Sequence, residues 1–211
     1  MNTYLFDFDG TLVDSMPTYG ATMIRILEEN GISFPPDIVK IITPLGYVGT
    51  AEYFINMGLN MHKDALVEVM SSYMLDAYTN HIPAKSNVIP VLRELKARGA
   101  DLNVLTASPH SALDPCLKRL GIYELFTNIW SCEDFATTKS DPKIYQMAAQ
   151  RIGKPVEQVL FLDDNYNADK TAKEAGMVVC GVYDDSSREY VNEMKAVADY
   201  YIYDFSELLS I

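Results

Sequence analysis

Residues 7–15 read Asp-Phe-Asp-Gly-Thr-Leu-Val-Asp-Ser and begin at the end of a short apolar run over residues 3–8. Such a run predicts a buried β-strand. Asp7 and Asp9 are separated by one residue, so we expect both carboxylates on the same side of the chain. Gly10 then allows a tight turn and a close approach of the backbone to a ligand. Because two buried carboxylates repel each other unless a cation compensates, the stretch predicts a metal ion.

From about residue 86 onward, helix-like segments alternate with short apolar runs. The helices are expected to end at glycines, which tolerate the left-handed conformation found after a helix. The apolar runs predict strands buried on both faces, and their alternation with helices is typical of parallel βαβ units. We therefore expect an α/β fold with a Rossmann-like parallel sheet flanked by helices. The glycines are Gly99, Gly121, Gly153 and Gly176, and the strands are predicted at residues 101–106, 126–132, 157–162 and 177–183.

Residues 16–85 lack this alternation and predict an all-helical cap domain inserted after the first strand. The insertion would leave residues 1–15 and 86–211 to form one catalytic core. Inside the insert, helix-like segments are separated by polar residues or glycine. These helices are predicted at residues 16–30, 35–41, 50–57 and 63–80.

The composition disfavours several classes of partner and location. The 211 residues include 17 Lys and Arg against 29 Asp and Glu, a net charge of −12. This balance argues against nucleic acid and anionic membranes, since both favour basic surfaces. Three widely spaced cysteines without a CxxC pair make a disulfide framework unexpected and fit a reducing compartment. With no signal-peptide pattern at the N-terminus, we expect a cytoplasmic protein, as a monomer or weak dimer.

Polar residues also stand at the ends of other predicted strands. Thr106 closes the second strand just before a helix N-terminus, a position that favours anions. Ser108 precedes Pro109 and is expected to cap that helix. Lys139 precedes a further helix start, and Asp163 with Asp164 follows the apolar run 157–162. A carboxylate nucleophile, a second carboxylate, a hydroxyl, a lysine and an acidic pair are the groups that phosphoryl transfer through an aspartyl phosphate requires.

Four segments, in this order and with this spacing, make the chain resemble the haloacid dehalogenase-like hydrolases, in particular the phosphatases with a helical cap after the first motif. The segments are residues 7–15, Thr106 with its neighbours, residues 139–142 and residues 161–164. Two positions depart from the family pattern. Ser140 stands where proline is frequent, and Asp163 stands where glycine is commoner, which adds charge near the metal.

The resemblance implies a Mg²⁺-dependent phosphatase that acts on a small phosphate ester. It implies that Asp7 attacks phosphorus and that Asp9 protonates the leaving oxygen and later assists water. The residues implied to hold the phosphoryl group are Thr106, Ala107, Lys139, Phe8 and Gly10. Those implied to bind Mg²⁺ are Asp7, Asp9 through its carbonyl, Asp164 and, in support, Asp163.

Three other functions use a similar set of groups. A phosphosugar mutase of the same family must hold a second phosphate, which requires a cation in the cap. The predicted cap loop at residues 43–50 contains no Arg or Lys, and this disfavours the mutase. A dehalogenase uses its nucleophilic aspartate without a second acid, so Asp9 argues against it. A phospho-acceptor signalling domain has no large insert after its first strand. The mutase and the signalling domain remain the alternatives.

The same cap loop holds the candidates for substrate selection, namely Leu45, Gly46 and Tyr47. Tyrosine presents an apolar ring and one hydroxyl, which suits a small uncharged leaving group such as a sugar. Phosphoglycolate stays open as a substrate if Arg25 or Lys40 reaches its carboxylate.

Three further residues have no firm assignment from the sequence. Asp169 falls about one turn into the helix after Asp164 and is expected either to support the site or to face solvent. Asn165 is expected to cap that helix. His110 follows Thr106 closely, but it shares no metal-ligand spacing with the other histidines.

Overall fold

The computed structural model describes residues 2–211, apart from the side chain of Pro44. The chain divides into two compact units. Residues 2–14 and Pro83–Ile211 form the first, which we term the core unit, and Ser15–Ile82 form the second, which we term the helical unit. No helix within residues 2–211 is long and apolar enough to cross a membrane.

The core unit is built on a six-stranded sheet in the described part of the chain. The strands pair in the order β3-β2-β1-β4-β5-β6, and every pairing is parallel, which confirms the predicted α/β fold. Successive connections change direction at β1, between β2 and β4, the place where open α/β sheets bind ligands. The strands are β1 (Thr3–Phe6), β2 (Asp101–Thr106), β3 (Asn128–Ser131), β4 (Leu160–Asp163), β5 (Val178–Val182) and β6 (Tyr200–Ile202).

The α-helices fall into two groups along the chain. Those of the helical unit are α1 (Met16–Glu29), α2 (Ile38–Ile42), α3 (Gly46–Asn56) and α4 (Lys63–Asn80). Those of the core unit are α5 (Val88–Ala97), α6 (His110–Arg119), α7 (Lys143–Ile152), α8 (Tyr166–Glu174) and α9 (Val191–Val197). The four glycines predicted to follow core helices all take positive φ angles, between +67° and +98°.

Adjacent residues of β1 pack into opposite faces of the sheet, as expected for a strand buried on both sides. Leu5 belongs to one cluster with Phe161 of β4 and Tyr145 of α7. On the other face, the Phe6 ring lies against the rings of Phe126 and Phe205, with centroids 6.3 and 6.0 Å away. Burial of each such side chain contributes about 1.5–3 kcal/mol, so this packing anchors the strand that leads to Asp7.

The first strand is shorter than predicted, since β1 ends at Phe6 rather than at residue 8. Asp7 N still donates to Leu162 O at 2.8 Å, but beyond it the chain turns. Gly10 has a φ of +74°, and its N–H donates to Val13 O at 2.9 Å. Asp9 therefore lies in the turn beyond the strand, and the side alternation of a strand does not extend to it. The edge strand β6 was not predicted, because three residues carry too little periodicity.

Two predicted helix caps have different outcomes. The Asn165 side chain accepts hydrogen bonds from the first turn of α8, which confirms its capping role. Ser108 was expected to cap the helix after β2, and this prediction is wrong. The helix α6 begins at His110, and the Ser108 hydroxyl donates to Asp9 instead. A carboxylate competes well for a hydroxyl donor, since hydrogen bonds to charged acceptors are stronger than those to neutral ones.

The predicted cap loop is helical, which corrects the sequence expectation. Thr43–Leu45 form one 3₁₀ turn, and α3 begins at Gly46 rather than near residue 50. The extension follows from burial, since Thr50, Ala51 and Phe54 form the buried face of α3. Leu45 is exposed, and the Tyr47 ring stacks on the Tyr19 ring with centroids 6.2 Å apart. The backbone here is therefore engaged in helix rather than presented as a loop.

Candidate active site

The carboxyl ends of three neighbouring strands bring polar side chains together in the core unit. Asp7 follows β1, Thr106 closes β2, and Asp163 closes β4. All three are buried, with exposed fractions of 6%, 1% and 1%. Buried polar groups need partners, so the contacts among these residues decide what the site can do.

Lys139 joins two of these strand ends through its ammonium group. Its Nζ contacts Asp7 Oδ1 closely and donates to Asp163 Oδ2 at 2.9 Å. The loop that carries Lys139 is held by α7, where Tyr145 Oη donates to the Lys139 carbonyl at 3.1 Å. Burial disfavours the charged ammonium, but the charges of Asp163 and Asp7 more than offset it and raise the pKa of Lys139 well above its usual value. Lys139 is therefore a permanent cation at this site.

Three buried carboxylates form a cluster that we term the acidic cluster. Asp7, Asp163 and Asp164 each place one oxygen so that all lie within 4.8 Å of one another. Burial raises the pKa of Asp7 to about 8, with the charges of Asp163 and Asp9 acting in the same sense and Lys139 opposing. Burial and the charges of Asp163, Asp7 and Asp184 raise the pKa of Asp164 well above its usual range. Three buried carboxyl groups thus share one lysine, and this crowding disfavours their anionic forms.

The donor set of the acidic cluster fits a hard divalent cation. Carboxylate oxygens are the ligands Mg²⁺ favours, and a cation would relieve the repulsion that raises these pKa values. A Cβ atom at Gly10 would collide with the Asp164 carboxylate, so only glycine permits this approach. Thr11 Oγ1 further fixes that carboxylate by donating to Asp164 Oδ1 at 3.1 Å.

Asp169 lies behind this cluster on α8 and is fully buried, so the solvated alternative for it is wrong. Neither of its carboxylate oxygens has a hydrogen-bond partner among the described residues. Burial, with the charges of Asp163 and Asp164, raises the pKa of Asp169 well above its usual range. Asp169 is therefore a further buried carboxyl group whose anionic form is disfavoured beside the acidic cluster.

Asp9 has a different environment from Asp7. It is half-buried, and its Oδ2 accepts a hydrogen bond from Ser108 Oγ at 2.5 Å. Ser108 N in turn donates to Thr106 Oγ1 at 3.0 Å. The Asp9 carboxylate is therefore tied to the end of β2, whereas the Asp7 carboxylate is tied to Lys139. Two carboxylates in unlike surroundings are suited to different chemical tasks.

Phe8, Gly10 and Ala107 were also implied to hold the phosphoryl group, but none of them has a polar side-chain atom that could bind it. The Phe8 side chain is fully buried, and its carbonyl accepts hydrogen bonds from Leu12 N and Val13 N. The N–H of Gly10 is used within the same turn, and Ala107 is exposed. Leu45, Gly46 and Tyr47 lie in the other compact unit.

Three residues near the turn after β1, Thr11, Lys85 and Asp184, were not assigned a role from the sequence, and Ser108 was assigned only a capping role. Ser108 and Thr11 hold the carboxylates described above, and Lys85 pairs with Asp184 at 2.8 Å. Asp184 comes shortly after β5, just as Asp163 and Asp164 stand at the end of β4. An acidic residue after an apolar run was therefore the signal available for Asp184. Lys85 offered no such signal.

His110 is bound by carboxylates on both ring nitrogens. Its Nδ1 lies 2.9 Å from Asp114 Oδ1, and its Nε2 lies 2.8 Å from Asp134 Oδ2. These two hydrogen bonds raise the pKa of His110. The residue joins α6 to the segment after β3, which is a structural role.

A model of the haloacid dehalogenase-like hydrolase family matches residues 1–176. The chain belongs to the haloacid dehalogenase-like hydrolases. The predicted resemblance is thereby confirmed. The hydrolase is 26% identical over 179 residues to pyrophosphatase PpaX of Bacillus velezensis, an alignment that spans 84% of this chain and 81% of the relative. It is 28% identical over 188 residues to phosphoglycolate phosphatase of Pseudomonas putida, spanning 84% of this chain and 68% of that one.

These relatives carry phosphatase names, and the hydrolase is a phosphatase of its family, as predicted. Its fold is similar to the crystal structure of a Thermotoga maritima protein provisionally named β-phosphoglucomutase. The TM-score is 0.84 at 20% identity, with 100% of this chain and 97% of the other covered. At this level of identity, the likeness shows the fold of the hydrolase and nothing about its substrate.

Proposed function

We propose that this hydrolase is a Mg²⁺-dependent phosphatase that cleaves a small phosphate monoester through an aspartyl phosphate on Asp7. One observation carries the proposal. The buried Asp7 carboxylate is paired with Lys139 at the end of β1, beside Asp163 and Asp164, and Asp9 follows in the same turn. A nucleophile, a cation, a metal-binding carboxylate pair and an acid are thus within one site.

In the first step, an Asp7 carboxylate oxygen attacks phosphorus, and the bond from phosphorus to the leaving oxygen breaks. Asp9 donates its proton to that leaving oxygen, so the alcohol departs neutral. Lys139 neutralises charge on the phosphoryl oxygens. Thr106 accepts its hydrogen bond from Ser108 N and so has a hydroxyl hydrogen to donate to the phosphoryl group.

In the second step, a water molecule attacks the same phosphorus atom. Asp9, now a carboxylate, takes the proton from that water. The bond between phosphorus and the Asp7 oxygen then breaks, which releases phosphate and restores Asp7. Because the Ser108 hydroxyl donates to Asp9 Oδ2, the Asp9 carboxylate is held in place for both proton transfers.

Asp7, Asp164 and Asp163 are proposed to hold Mg²⁺ together with the Asp9 carbonyl. When bound, the ion supplies positive charge that offsets the negative charge of the phosphoryl group and of the carboxylates. Without such compensation, burial raises the pKa of Asp7 to about 8 and disfavours the anionic form that the proposed attack requires.

Removal of Mg²⁺ is expected to abolish hydrolysis and to destabilise the protein. At free Mg²⁺ of 100 times its Kd, binding adds about 2.7 kcal/mol to the free energy of unfolding. For a chain of this length, that corresponds to a rise in Tm of about 5–10 °C, measurable by differential scanning fluorimetry with EDTA or Mg²⁺. Asp164→Asn should lose most of this rise in Tm. Asp101→Asn should retain it, because Asp101 lies at the amino end of β2, away from the site at the carboxyl ends of the strands. Full activity in EDTA would contradict the metal requirement.

The helical unit is proposed to select the leaving group. Of its cations, Arg25 pairs with Glu29 at 2.8 Å and lies over the Tyr73 ring, and Lys63 pairs with Glu52 at 3.2 Å. Both pairs lie on the unit's own surface. Together with Lys40, the unit has three cations against seven acidic residues, a balance that disfavours a second phosphate. Tyr47, on the first turn of α3, presents a ring and a hydroxyl. This supports a monophosphate with an uncharged leaving group over a bisphosphate, and thus a phosphatase over a mutase.

Tyr47→Ala is expected to lower kcat/KM for a hexose monophosphate by about tenfold, because one lost pocket contact is worth roughly 1–3 kcal/mol. The measurement compares a hexose monophosphate, its bisphosphate and phosphoglycolate in the wild type and the variant. Leu75→Ala, at an exposed apolar residue of α4, is the control and should leave all three values unchanged. Unchanged selectivity in Tyr47→Ala, or a wild type that favours the bisphosphate tenfold, would contradict the proposed role of the helical unit.

A further inference from the structure

Lys85 makes three hydrogen bonds from one ammonium group. Its Nζ donates to Gly10 O at 2.5 Å, to Tyr183 O at 2.7 Å and to Asp184 Oδ2 at 2.8 Å. The side chain is mostly buried, with 18% of its surface exposed. An ammonium group has three hydrogens, so all its donors are satisfied by these three oxygens.

These partners belong to separate segments of the core unit. Gly10 lies in the turn after β1, and Tyr183 and Asp184 follow β5. The backbone of the Lys85 segment also pairs with the turn, since Lys85 N donates to Leu12 O at 3.0 Å. Side chain and main chain of Lys85 therefore hold the same turn at two points.

The carbonyl that Lys85 holds belongs to Gly10, the residue that follows Asp9. Gly10 has a φ of +74°, which other residues rarely adopt, and its Cα faces the Asp164 carboxylate closely enough to exclude a Cβ. The next residue, Thr11, donates to that same carboxylate. The backbone at Gly10 is thus fixed from the Lys85 side and from the Asp164 side, and this fixes the direction in which the chain presents Asp9.

An ion pair that served only the stability of the fold would not require all three hydrogen bonds of Lys85. Burying an ammonium group is costly unless it is paired, and Asp184 supplies the compensating charge. Asp184 is itself buried, and hydrogen bonds from Lys85 and Ser186 outweigh the effect of burial and lower its pKa. The Asp184 carboxylate is therefore favoured in its anionic form, and two of the three Lys85 hydrogen bonds go to main-chain carbonyls rather than to this counter-ion.

We propose that Lys85 is a positioning residue for the reaction, which holds the Gly10 carbonyl and thereby aims Asp9 at the leaving oxygen. The proposal rests on the phosphatase function proposed above. Lys85 contacts the turn after β1 and the segment after β5, and acts on the reaction through the turn. Its loss should therefore impair proton donation by Asp9 more than attack by Asp7.

The kinetic test uses Lys85→Met, which removes the ammonium group and keeps the side-chain length. We expect kcat/KM to fall by about 100-fold for an alkyl phosphate, whose poor leaving group needs protonation, and by less than about tenfold for p-nitrophenyl phosphate, whose leaving group does not. Lys173→Met is the matched control, because Lys173 pairs with Asp199 on the surface of the same unit, away from the turn. It should leave both values unchanged. An equal loss with both esters, or no loss, would overturn the proposal.

Hydrogen exchange of peptides that cover residues 8–13 gives a readout independent of activity. Lys85→Met should raise amide exchange there by about fivefold or more, and Lys173→Met should not. If Lys85→Met does not fold, Lys85→Arg serves in its place, because a planar guanidinium cannot satisfy three converging oxygens as a compact ammonium does. A wild type that cleaves no ester would refute the proposed function, while unchanged exchange in the Lys85 variant would refute the positioning role.

Discussion

Asp7→Asn is expected to lower kcat/KM for phosphate ester hydrolysis by at least about 10³-fold, because it removes the attacking carboxylate oxygen. The amide has nearly the same shape, so Lys139 and Asp163 retain most of their surroundings. Phosphate monoesters hydrolyse extremely slowly in water, and little activity should remain without the nucleophile. The measurement is phosphate release from an alkyl phosphate and from p-nitrophenyl phosphate at saturating Mg²⁺.

Asp101→Asn is the matched control for this loss, since Asp101 is an aspartate of the same unit at the amino end of β2. It should hydrolyse both esters at the wild-type rate. Mass spectrometry of fresh Asp7→Asn protein excludes deamidation back to aspartate as a source of activity. If the pure variant keeps activity within about tenfold, or 1.4 kcal/mol of barrier, Asp7 is not the nucleophile.

Asp9→Asn is expected to lower kcat/KM for an alkyl phosphate by about 10²–10⁴-fold, the usual contribution of general acid–base catalysis. The asparagine oxygen can still accept the hydrogen bond from Ser108 Oγ, so the side chain should keep its place. Asp7 stays available for attack. With p-nitrophenyl phosphate, the first step should therefore proceed and the second should be slow.

This difference gives Asp9→Asn a signature that distinguishes it from Asp7→Asn. Rapid-quench experiments with p-nitrophenyl phosphate should show a burst of p-nitrophenol and accumulation of phosphorylated protein in Asp9→Asn. The Asp7→Asn variant should show neither. Normal steady-state turnover of alkyl phosphates by Asp9→Asn would remove Asp9 from the mechanism.

The sequence predicted those parts of the fold that depend on local pattern. The parallel α/β class followed from apolar runs that alternate with glycine-terminated helices, and β2 lies at the predicted residues 101–106. Short elements were predicted less well. The strand β6 has three residues, and α3 extends back to Gly46 because its buried face, rather than its glycines, decides where the helix begins.

For the candidate site, motif spacing was enough to identify Asp7, Thr106, Lys139 and Asp164 as candidates, because each follows a recognisable strand or precedes a helix. The environment of each residue was not predictable. Asp169 could not be distinguished from a surface residue by helix position alone, and Ser108 was taken for a helix cap. Both outcomes depend on which other segments lie nearby.

The sequence by itself determined the order of the parallel units along the chain, the place of the proposed nucleophile at the end of the first strand and the family, since these follow from patterns within a few residues. Only the tertiary structure decided that Ser108 donates to Asp9 and that Lys85 holds Gly10, 75 residues away along the chain. Such contacts arise from strand order and register. Parallel pairing places β1 between β2 and β4, and this brings the loops at their carboxyl ends together. No local pattern in the chain encodes that proximity.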